Sequence, residues 1–501
     1  MKTLFISKGQ ETLAVEYLAS VLKSKGHTVK LLFDPGIDDN MGFWDISLLR
    51  KINPNNLFIE EMISFAPDLV ALSCPLNMYP FVRNSARMVK EHLGDVPVLV
   101  GGGHPTTAPE YVLSDPNIDM VCIGEGEEPI ADLAQRIEDK KSYNDVENLW
   151  VKTASGIVKN PIRPLLQDLD SLPFPDREIF YSYGCFAGNL YFIAGRGCPF
   201  QCTYCCQHTF KEIYKGKGKY IRLRSVDNIM KELEYGVRRY NVKHIHSEDD
   251  TFAFDHDWTK EFCREYKKRI HVPFYCHVRP GTLNEGVLAD LADAGCVGVF
   301  FGVDCGNYEM RRDILKRPVT DDVIIEQAKL VKKAGIKISC SSMFGLPGET
   351  PGQMYETFNM IKGIESDFAY ATIYYPFYGT ELFQYAVDNG YLDEKTVALI
   401  KDGKGSLYGE PLIKTEYKDT AMLLKNMLPS YMRFKGLRFI FDLILKSKSC
   451  SLAKLINLFF TPFSYASIGK LKRKEMASVF LKFIAYKLRI ISLHKLAAGK
   501  E

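Results

Sequence analysis

The chain has 501 residues, of which 46% are hydrophobic and 25% charged. This composition excludes a disordered, collagenous or small disulfide-rich protein, and the length is sufficient for about two to four domains. The 64 Lys and Arg residues nearly balance the 61 Asp and Glu residues. The whole chain therefore lacks the charge signature of a nucleic-acid-binding protein, and no nucleic acid partner is expected.

Basic charge is concentrated at the carboxyl end. Residues 431–501 contain fifteen Lys or Arg and three Asp or Glu, whereas residues 1–430 carry a net negative charge. No apolar run reaches the length of about eighteen residues that a membrane-spanning helix needs, and the first apolar stretch is too short for a signal peptide. We therefore expect a cytoplasmic protein, in which clustered cysteines serve metals or redox chemistry.

Residues 1–140 alternate short apolar runs with helical patterns. Because strands separated by helices form parallel crossovers, this pattern predicts a doubly wound, Rossmann-like α/β layer of about five strands. The predicted strands lie at residues 3–7, 28–33, 69–73, 98–100 and 119–123. Turns at the carboxyl ends of such strands bind ligands. The candidate ligand-binding residues in these turns are Ser73, Gly102, Gly103, His104, Thr106, Gly124 and Glu125.

Residues 141–189 are predicted to be a linker, with a strand-turn-strand around Gly156 and then prolines that cannot extend a helix. Strand and helix alternation resumes in residues 190–380, where a length of about 30 residues per βα unit predicts about six units. This is an incomplete (β/α)6 barrel of the TIM type. Its predicted strands lie at residues 190–194, 244–246, 274–276, 297–301, 338–343 and 370–375.

The most specific motif is Cys198-Pro-Phe-Gln-Cys202-Thr-Tyr-Cys205, directly after the first predicted barrel strand. Three thiolates at this spacing can ligate three irons of a 4Fe-4S cube and leave the fourth iron open to a ligand. Two alternatives remain: a zinc knuckle that adds His208 to the three cysteines, and incidental buried thiols. Cys206 directly follows the motif and is predicted to point away from it as a packing residue.

The cysteine motif, with Tyr204 before its last cysteine, resembles the hallmark of the radical SAM superfamily, and the resemblance covers most of residues 190–380. It implies that S-adenosylmethionine (SAM) chelates the open iron and that one electron from the cluster cleaves its sulfonium bond, which yields a 5'-deoxyadenosyl radical. It also implies an electron donor such as flavodoxin or ferredoxin. The protein supplies position and water exclusion for this chemistry.

Two acidic residues and one arginine stand where this family contacts the methionine part of SAM. Asp249 and Asp250 follow the second barrel strand, where a carboxylate suits the methionine amino group. The alternative is that one of them merely caps the next helix. Arg279 is predicted to pair with the methionine carboxylate, or else to form a surface ion pair.

Two further turns resemble the family's contacts with the adenosyl part of SAM. Asp304 stands where relatives place an acid near the ribose hydroxyls, although aspartate is one methylene shorter than the usual glutamate. Gly345 and Glu349 belong to the string Phe344-Gly-Leu-Pro-Gly-Glu349. Its glycines would let the backbone approach the nucleoside.

The N-terminal layer resembles the cobalamin-binding domain that precedes the barrel in the radical SAM class of anaerobic magnesium-protoporphyrin cyclases and carbon methylases. Ser73 and the turns at residues 101–106 and 124–127 carry this resemblance. The usual Asp-x-His-x-x-Gly motif is absent, since the first turn reads Lys8-Gly-Gln-Glu-Thr. The resemblance thus implies cobalamin bound without a lower histidine ligand, and His104 is interpreted as a turn residue.

Residues 381–501 form the third predicted region, which is basic and mainly helical. The predicted helices lie at residues 421–445, with a kink at Pro429, at 451–460 and at 476–493. One interpretation is a helical lid on the open barrel. The other is a basic, amphipathic surface that rests on the anionic inner face of a membrane, with an apolar or lipid substrate.

Together these features predict a cobalamin-type radical SAM enzyme that modifies an unactivated carbon of a small molecule by methylation. Ring formation or rearrangement at the same radical is the alternative reaction. A corrinoid or redox sensor without turnover is the alternative from another functional class. No catalytic residue beyond the cofactor-binding positions is identified.

Overall fold

The computed structural model describes residues 1–34, 55–75, 77–183, 185 and 188–465. Its first sheet begins with a strand whose residues 3–7 are all buried, as expected for a strand covered on both faces. The elements of this part are β1 (Lys2–Lys8), α1 (Leu13–Ser24), β2 (Thr28–Asp34), α2 (Asn55–Phe65), β3 (Leu69–Ser73), α3 (Tyr79–Leu93), β4 (Val98–Gly101), α4 (Gly103–Thr107), α5 (Pro109–Leu113), β5 (Met120–Cys122), α6 (Glu127–Glu138), β6 (Leu149–Thr153) and β7 (Gly156–Lys159).

The first sheet confirms the predicted doubly wound layer. Its strand order is β2-β1-β3-β4-β5-β6-β7, and the first five strands are parallel. Separate apolar clusters lie on its two faces. The predicted strand-turn-strand at Gly156 is present as the antiparallel pair β6 and β7, and it extends this sheet. Part of the segment predicted as a linker therefore belongs to the N-terminal layer.

The second sheet confirms the predicted incomplete barrel. Its six strands are all parallel and follow the order β15-β14-β13-β12-β11-β8. The elements here are α7 (Glu178–Tyr181), β8 (Asn189–Phe192), β9 (Gly195–Arg196), α8 (Cys206–Ile213), β10 (Arg222–Leu223), α9 (Val226–Arg239), β11 (His244–Ser247), α10 (His256–Arg269), β12 (Phe274–Val278), α11 (Glu285–Asp293), β13 (Cys296–Asp304), α12 (Asp321–Lys333), β14 (Lys337–Phe344), α13 (Pro351–Ile364) and β15 (Phe368–Ile373).

Polar N-caps set the starts of the barrel helices. The side chains of Asp255, Asn284 and Thr320 accept hydrogen bonds from backbone N–H groups in the first turns of α10, α11 and α12. Helix α13 has a complete capping box, in which Thr350 and Gln353 satisfy each other's backbone N–H groups. Each capping residue marks the end of the turn between a strand and the next helix. The sequence therefore defines the length of each turn at the carboxyl ends of the barrel strands, which form the mouth of the barrel.

The carboxyl-terminal elements are α14 (Glu381–Asp388), α15 (Glu394–Lys401), α16 (Lys418–Arg433), α17 (Arg438–Ser447) and α18 (Cys450–Tyr465). The segment predicted as one kinked helix forms two, because α16 continues past Pro429 and ends at Arg433. Helix α16 packs against β15 and α13, which supports the lid interpretation for this helix. Across the described residues, no helix combines the length and hydrophobicity needed to cross a bilayer. The helix predicted at 476–493 lies outside these residues.

A buried ionic cluster connects the first layer to the barrel. Glu232 of α9 is fully buried and pairs with Arg177 and with Arg224, each at 2.6 Å. The Arg224 guanidinium also donates to the hydroxyl of Tyr17 on α1 at 3.2 Å. Glu16, beside Tyr17, is 1% exposed, and neither of its carboxylate oxygens has a hydrogen-bond partner. Burial raises the pKa of Glu16 to about 8, and the nearby Arg177 only partly opposes this effect.

We predict that the stability of the chain falls as pH rises from about 4.5 to about 8, and that Glu16→Gln removes much of this fall. Over this interval the folded chain keeps a proton on Glu16 that the unfolded chain has released, so the free energy of unfolding decreases with pH. Urea unfolding midpoints at pH 5 and pH 8 measure the effect. The exposed Glu326→Gln on α12 is the matched control, and an identical pH dependence in both variants would contradict the prediction.

Candidate cofactor site

The carboxylate of Asp249 connects the chain after β8, where the loop that carries the three cysteines begins, to the end of β11. Asp249, after β11, accepts hydrogen bonds from the backbone N–H of Ala194 at 3.0 Å, from that of Gly195 at 2.8 Å, and from the hydroxyl of Ser247 at 2.5 Å. Asp249 is buried. The helix-capping alternative is wrong for Asp249, because Asp255 caps α10. Asp249 instead fixes the point at which the chain leaves β8 toward the cysteines.

The three motif cysteines differ in their surroundings. Cys202 is buried, whereas Cys198 and Cys205 are half-buried. The Arg279 guanidinium donates to Cys202 Sγ at 3.0 Å and lies 3.8 Å from the centroid of the Phe200 ring. Arg279 is itself buried, so the surface ion pair considered above is wrong. A cationic donor at a cysteine sulfur influences the reduction potential of a cluster that this sulfur ligates.

The zinc-knuckle alternative has no geometric support. Within the described ranges, no three His, Cys, Asp or Glu side chains come close enough together to hold a single metal ion. His208 Nε2 instead lies 3.6 Å from Glu381 Oε2. A 4Fe-4S cube spaces its ligands more widely than one ion does, and the three motif thiols are carried by one loop. Cys206 does not point away as predicted, because its thiol lies beside that of Cys205 and raises its pKa.

Acidic side chains line the mouth of the barrel next to this loop. Glu248 and Asp250 flank Asp249 in the sequence. Both residues are exposed at the mouth of the barrel, yet neighbouring protein displaces part of the water around their carboxylates. This desolvation, with the charge of Asp249 added to it, raises the pKa of Glu248 to about 7 and that of Asp250 to about 6. The charge of Asp250 reaches the Cys198 thiol and contributes to raising its pKa. Glu248 and Asp250 are thus the two exposed acids of this turn, and Asp250 is the one whose charge reaches a motif cysteine.

Asp304 connects the end of β13 to the cysteine loop. Its carboxylate accepts from the Tyr204 hydroxyl at 2.6 Å and pairs with Arg317 at 2.8 Å. The Ser341 hydroxyl donates to its other oxygen at 3.3 Å. Asp304 has a φ of +64°, a left-handed conformation that is unusual for aspartate. The structure therefore brings Tyr204 and Asp304 together, and a contact between Asp304 and a ribose stays a prediction.

The glycine-rich turn after β14 is held by hydrogen bonds between its backbone and one of its own side chains. Glu349 accepts hydrogen bonds from the backbone N–H of Gly345 at 2.7 Å and of Leu346 at 3.0 Å. Burial raises the pKa of Glu349 to about 7. Gly345 and Gly348 both have φ near +75°, which allows the tight turn. Glu349 thus holds the backbone of this turn in place, and its predicted contact with SAM remains untested.

Small residues follow the strands at the carboxyl edge of the first sheet. Ser73 ends β3, and Gly102 and Gly103 follow β4. Gly102 has a φ of +112°, and a Cβ atom there would lie 2.9 Å from the carbonyl oxygen of Cys74. The Thr106 hydroxyl accepts from the backbone N–H of Gly124 at 3.0 Å, which joins the two predicted ligand-binding turns.

His104 belongs to the core of this edge. It is 1% exposed, and its ring lies 4.9 Å from that of Tyr79 and 6.5 Å from that of Tyr111. Burial lowers the pKa of His104 to about 4. This placement supports the interpretation of His104 as a turn residue rather than a cobalt ligand.

Glu125 lies at the contact between the two sheets. Its carboxylate pairs with Arg222 at 2.7 Å and with Arg196 at 3.1 Å, and its backbone N–H donates to the Tyr214 hydroxyl at 2.7 Å. Its side chain is therefore engaged with the barrel. On the other side of the edge, Gly379 packs closely against Thr107. Loops after the first and last barrel strands thus contact the ligand-binding turns of the first sheet.

Several residues of this region were not identified from the sequence. Arg222 reaches Glu125 from 97 residues away along the chain, Arg317 reaches Asp304 from the loop between β13 and α12, and no local motif marks either arginine. Thr251, 3.8 Å from Cys198 Sγ, directly follows Asp250, so the acidic turn was the available signal for it. The partners of these residues depend on tertiary packing.

The residues present fit the implied cofactors. Three thiols on one anchored loop, with a cationic donor at one sulfur and a free carboxylate beside them, suit a three-ligand cluster and the cationic amine of SAM. Gly102 is exposed at the first sheet's edge and Gly103 is half-buried, and the absence of side chains at these two positions lets a planar macrocycle approach the backbone. His104 is unavailable as a metal ligand, so this surface fits cobalamin without a lower histidine.

Comparison with known proteins gives the same assignment. The model of the Radical SAM superfamily matches residues 192–361, and that of the B12 binding domain matches residues 9–134. An uncharacterized methyltransferase of Pyrococcus horikoshii is 26% identical, over 84% of this chain and 87% of that protein. An anaerobic magnesium-protoporphyrin IX monomethyl ester cyclase of Rubrivivax gelatinosus is 24% identical, over 84% and 73%.

A solved structure shares the fold along nearly the whole chain. The cobalamin-dependent SAM radical enzyme OxsB, with aqua-cobalamin and SAM bound, superimposes with a TM-score of 0.64 at 17% identity, over 97% of this chain and 75% of that chain. The predicted cofactors are thereby confirmed at the level of the domains: a 4Fe-4S cluster, SAM and cobalamin. The chain belongs to the radical SAM superfamily, in the class whose barrel follows a cobalamin-binding domain.

Proposed function

We propose that this enzyme methylates an unactivated carbon of a small-molecule substrate, with cobalamin as the methyl carrier. The observation that carries the proposal is the contact between the cysteine loop region and the ligand-binding edge of the first sheet. Arg196, two residues before Cys198, pairs with Glu125 and Glu127 of that edge. A substrate held between these surfaces would be near both cofactors at once, which is the positioning that group transfer needs.

The three motif cysteines, Asp250 and Arg279 have separate roles in the proposed reaction. Cys198, Cys202 and Cys205 hold the cluster, and Asp250 accepts a charge-assisted hydrogen bond from the methionine amino group. When bound, the cluster with SAM supplies a 5'-deoxyadenosyl radical that removes hydrogen from carbon, and cobalamin supplies a methyl group. Arg279 orients Cys202 through its 3.0 Å hydrogen bond. An electron donor such as flavodoxin or ferredoxin reduces the cluster.

Ring formation or rearrangement is the second candidate reaction. The cyclase of Rubrivivax gelatinosus, similar over most of both chains, favours it. In that case the substrate radical would close on itself without gaining a methyl group. Anaerobic incubation with methyl-labelled SAM and cell extract separates the two reactions, because only methylation transfers the label to a product. A sensor without turnover is disfavoured, since it requires no available carboxylate beside the cysteines.

We expect Cys202→Ala to abolish the reductive release of 5'-deoxyadenosine from SAM and to lower the iron content well below the about four irons per chain of a 4Fe-4S cluster. The loss follows because two thiolates cannot hold the cube in an open three-ligand form. Iron analysis and product chromatography after anaerobic reconstitution measure it. Cys450→Ala, in α18 and away from the loop, is the control and should retain both properties. Continued release by Cys202→Ala would rule out the mechanism.

We expect Asp250→Asn to weaken SAM binding by roughly ten- to a hundredfold, since a hydrogen bond to a charged group contributes about 1.5–3 kcal/mol. Equilibrium dialysis with the reconstituted protein measures the change, and iron content shows whether the cluster is intact. Asp257→Asn, an exposed residue in the first turn of α10, is the matched control. Equal affinity of Asp250→Asn and the parent for SAM would remove Asp250 from the site.

Helices α17 and α18 support a second part of the proposal, which is a peripheral contact with an anionic membrane surface. Helix α17 exposes Phe439 at 65% and Leu443 at 62%, and α18 exposes Leu455 at 50%. Basic residues flank these apolar side chains in the same segment: Lys435, Arg438, Lys446, Lys448 and Lys454. Apolar side chains beside basic ones suit the interface of an anionic bilayer.

We predict that the double variant Phe439→Gln and Leu443→Gln reduces sedimentation with vesicles that contain phosphatidylglycerol. Burial of each apolar side chain contributes about 1.5–3 kcal/mol, so the partition coefficient should fall by roughly tenfold or more. Vesicles of phosphatidylcholine alone should bind the parent weakly. Ile157→Gln, an exposed apolar residue of β7, is the control. Unchanged sedimentation of the double variant would refute the membrane contact.

A further inference from the structure

The barrel strands have different chemistry on their two faces. Residues that point outward, such as Leu190, Ile245 and Phe274, are fully buried in an apolar core under the helices. Since side chains alternate along a strand, the residues between them point inward. Six of these inward residues carry rings and are partly exposed: Tyr191, His246, Tyr275, His277, Phe300 and Tyr370. We name this set the ring wall.

Contacts across neighbouring strands order these rings. His246 and Tyr275 stack nearly parallel, with centroids 4.8 Å apart and planes at 13°. His277 and Phe300 stack in the same way, at 4.6 Å and 17°. Tyr191 extends the first pair, since its ring lies 5.2 Å from that of His246. The wall therefore consists of stacks that run from strand to strand.

The ring wall curves around the barrel interior. Phe300 lies 6.1 Å from Tyr370 on the last strand. Tyr191, on the first strand, is in turn close enough to Tyr370 to contribute to raising its pKa. The two edge strands of the open barrel thus bring their rings toward each other. The partial exposure of all six rings indicates that this interior is not filled by their own packing.

The rings of the wall are uncharged at physiological pH, and the nearest carboxylates, those of Glu11 and Glu248, reach it at Tyr191, where they contribute to raising the pKa of the hydroxyl. Burial lowers the pKa of His246 and of His277 to about 4, so both imidazoles are uncharged.

The hydroxyls of Ser341 on β14 and Thr372 on β15 already donate to the Asp304 carboxylate and to the Ser342 carbonyl oxygen, so they present acceptor lone pairs. The wall thus offers ring faces for stacking together with neutral hydrogen-bonding groups. It lies along the strands, whereas the turns proposed to contact SAM lie at their carboxyl ends.

From this arrangement we infer that the ring wall binds the substrate and that the substrate is an uncharged planar ring with polar substituents. The inference rests on the proposed function, because the wall lines the barrel whose mouth holds the cysteine loop. A planar ring can continue the stacks that already exist between strands. A lipid chain would be matched by aliphatic side chains, which this wall lacks. A cation binds over an open ring face, whereas the faces within the two stacked pairs, His246 with Tyr275 and His277 with Phe300, are turned toward one another.

Calorimetric titration of the reconstituted protein with 2-naphthol, in the presence of saturating SAM, tests the inference. The saturated analogue cis-decahydro-2-naphthol has the same hydroxyl group without a flat ring, so it should bind more weakly. Tyr275→Leu and Phe300→Leu should each weaken 2-naphthol binding by roughly three- to tenfold through loss of a stacking contact. Tyr235→Leu, in which the ring removed is exposed on α9, should bind like the parent.

Other outcomes would overturn the inference. Equal binding of the two naphthol analogues, or tighter binding of decanol, would indicate an aliphatic substrate. Tighter binding of tetramethylammonium would indicate a cation site. Competition between 2-naphthol and SAM would make the wall part of the nucleoside site. Release of 5'-deoxyadenosine is measured on the same samples, and because it reports cofactor chemistry alone, its loss would identify failure of the proposed function instead.

Discussion

A single buried carboxylate organises the cofactor site. Asp249 accepts hydrogen bonds from two backbone N–H groups that follow β8, those of Ala194 and Gly195, and from the Ser247 hydroxyl of β11. Three donors offset the cost of burying this polar group. Because Asp249 accepts all three hydrogen bonds, it also determines where the chain turns toward Cys198. The position of the cysteines relative to the strands therefore depends on Asp249, although Asp249 contacts none of them in the observed hydrogen bonds.

Much of the fold follows from the sequence, because strand and helix patterns are local. The alternation of apolar runs predicts both parallel sheets, and the carboxyl ends of parallel strands necessarily bring Asp250 and Arg279 to the cysteine loop. The hairpin at Gly156 was also predictable as a local structure. Its attachment to the first sheet was not, since pairing with β5 depends on a partner distant in the chain.

The contacts of individual site residues were less predictable for the same reason. Arg279 has the same sequence neighbours whether it meets solvent or a cysteine, and only the folded chain places it on Cys202 Sγ. Glu125 stands in a turn of the type that binds ligands, yet two arginines from the barrel reach its carboxylate. His104 looked like a possible ligand by residue type, but two tyrosine rings enclose it. Each outcome depends on side chains remote in sequence.

The ion pairs of Arg196 have a consequence for the independence of the two domains. This arginine precedes the cysteine motif, and both of its carboxylate partners, Glu125 and Glu127, come from the cobalamin-binding layer. If the barrel were excised alone, Arg196 and Arg222 would lose their carboxylate partners and would lie on a newly exposed surface. The barrel domain therefore depends on its N-terminal layer, and any layer that replaced this one would have to supply an equivalent acidic turn for Arg196.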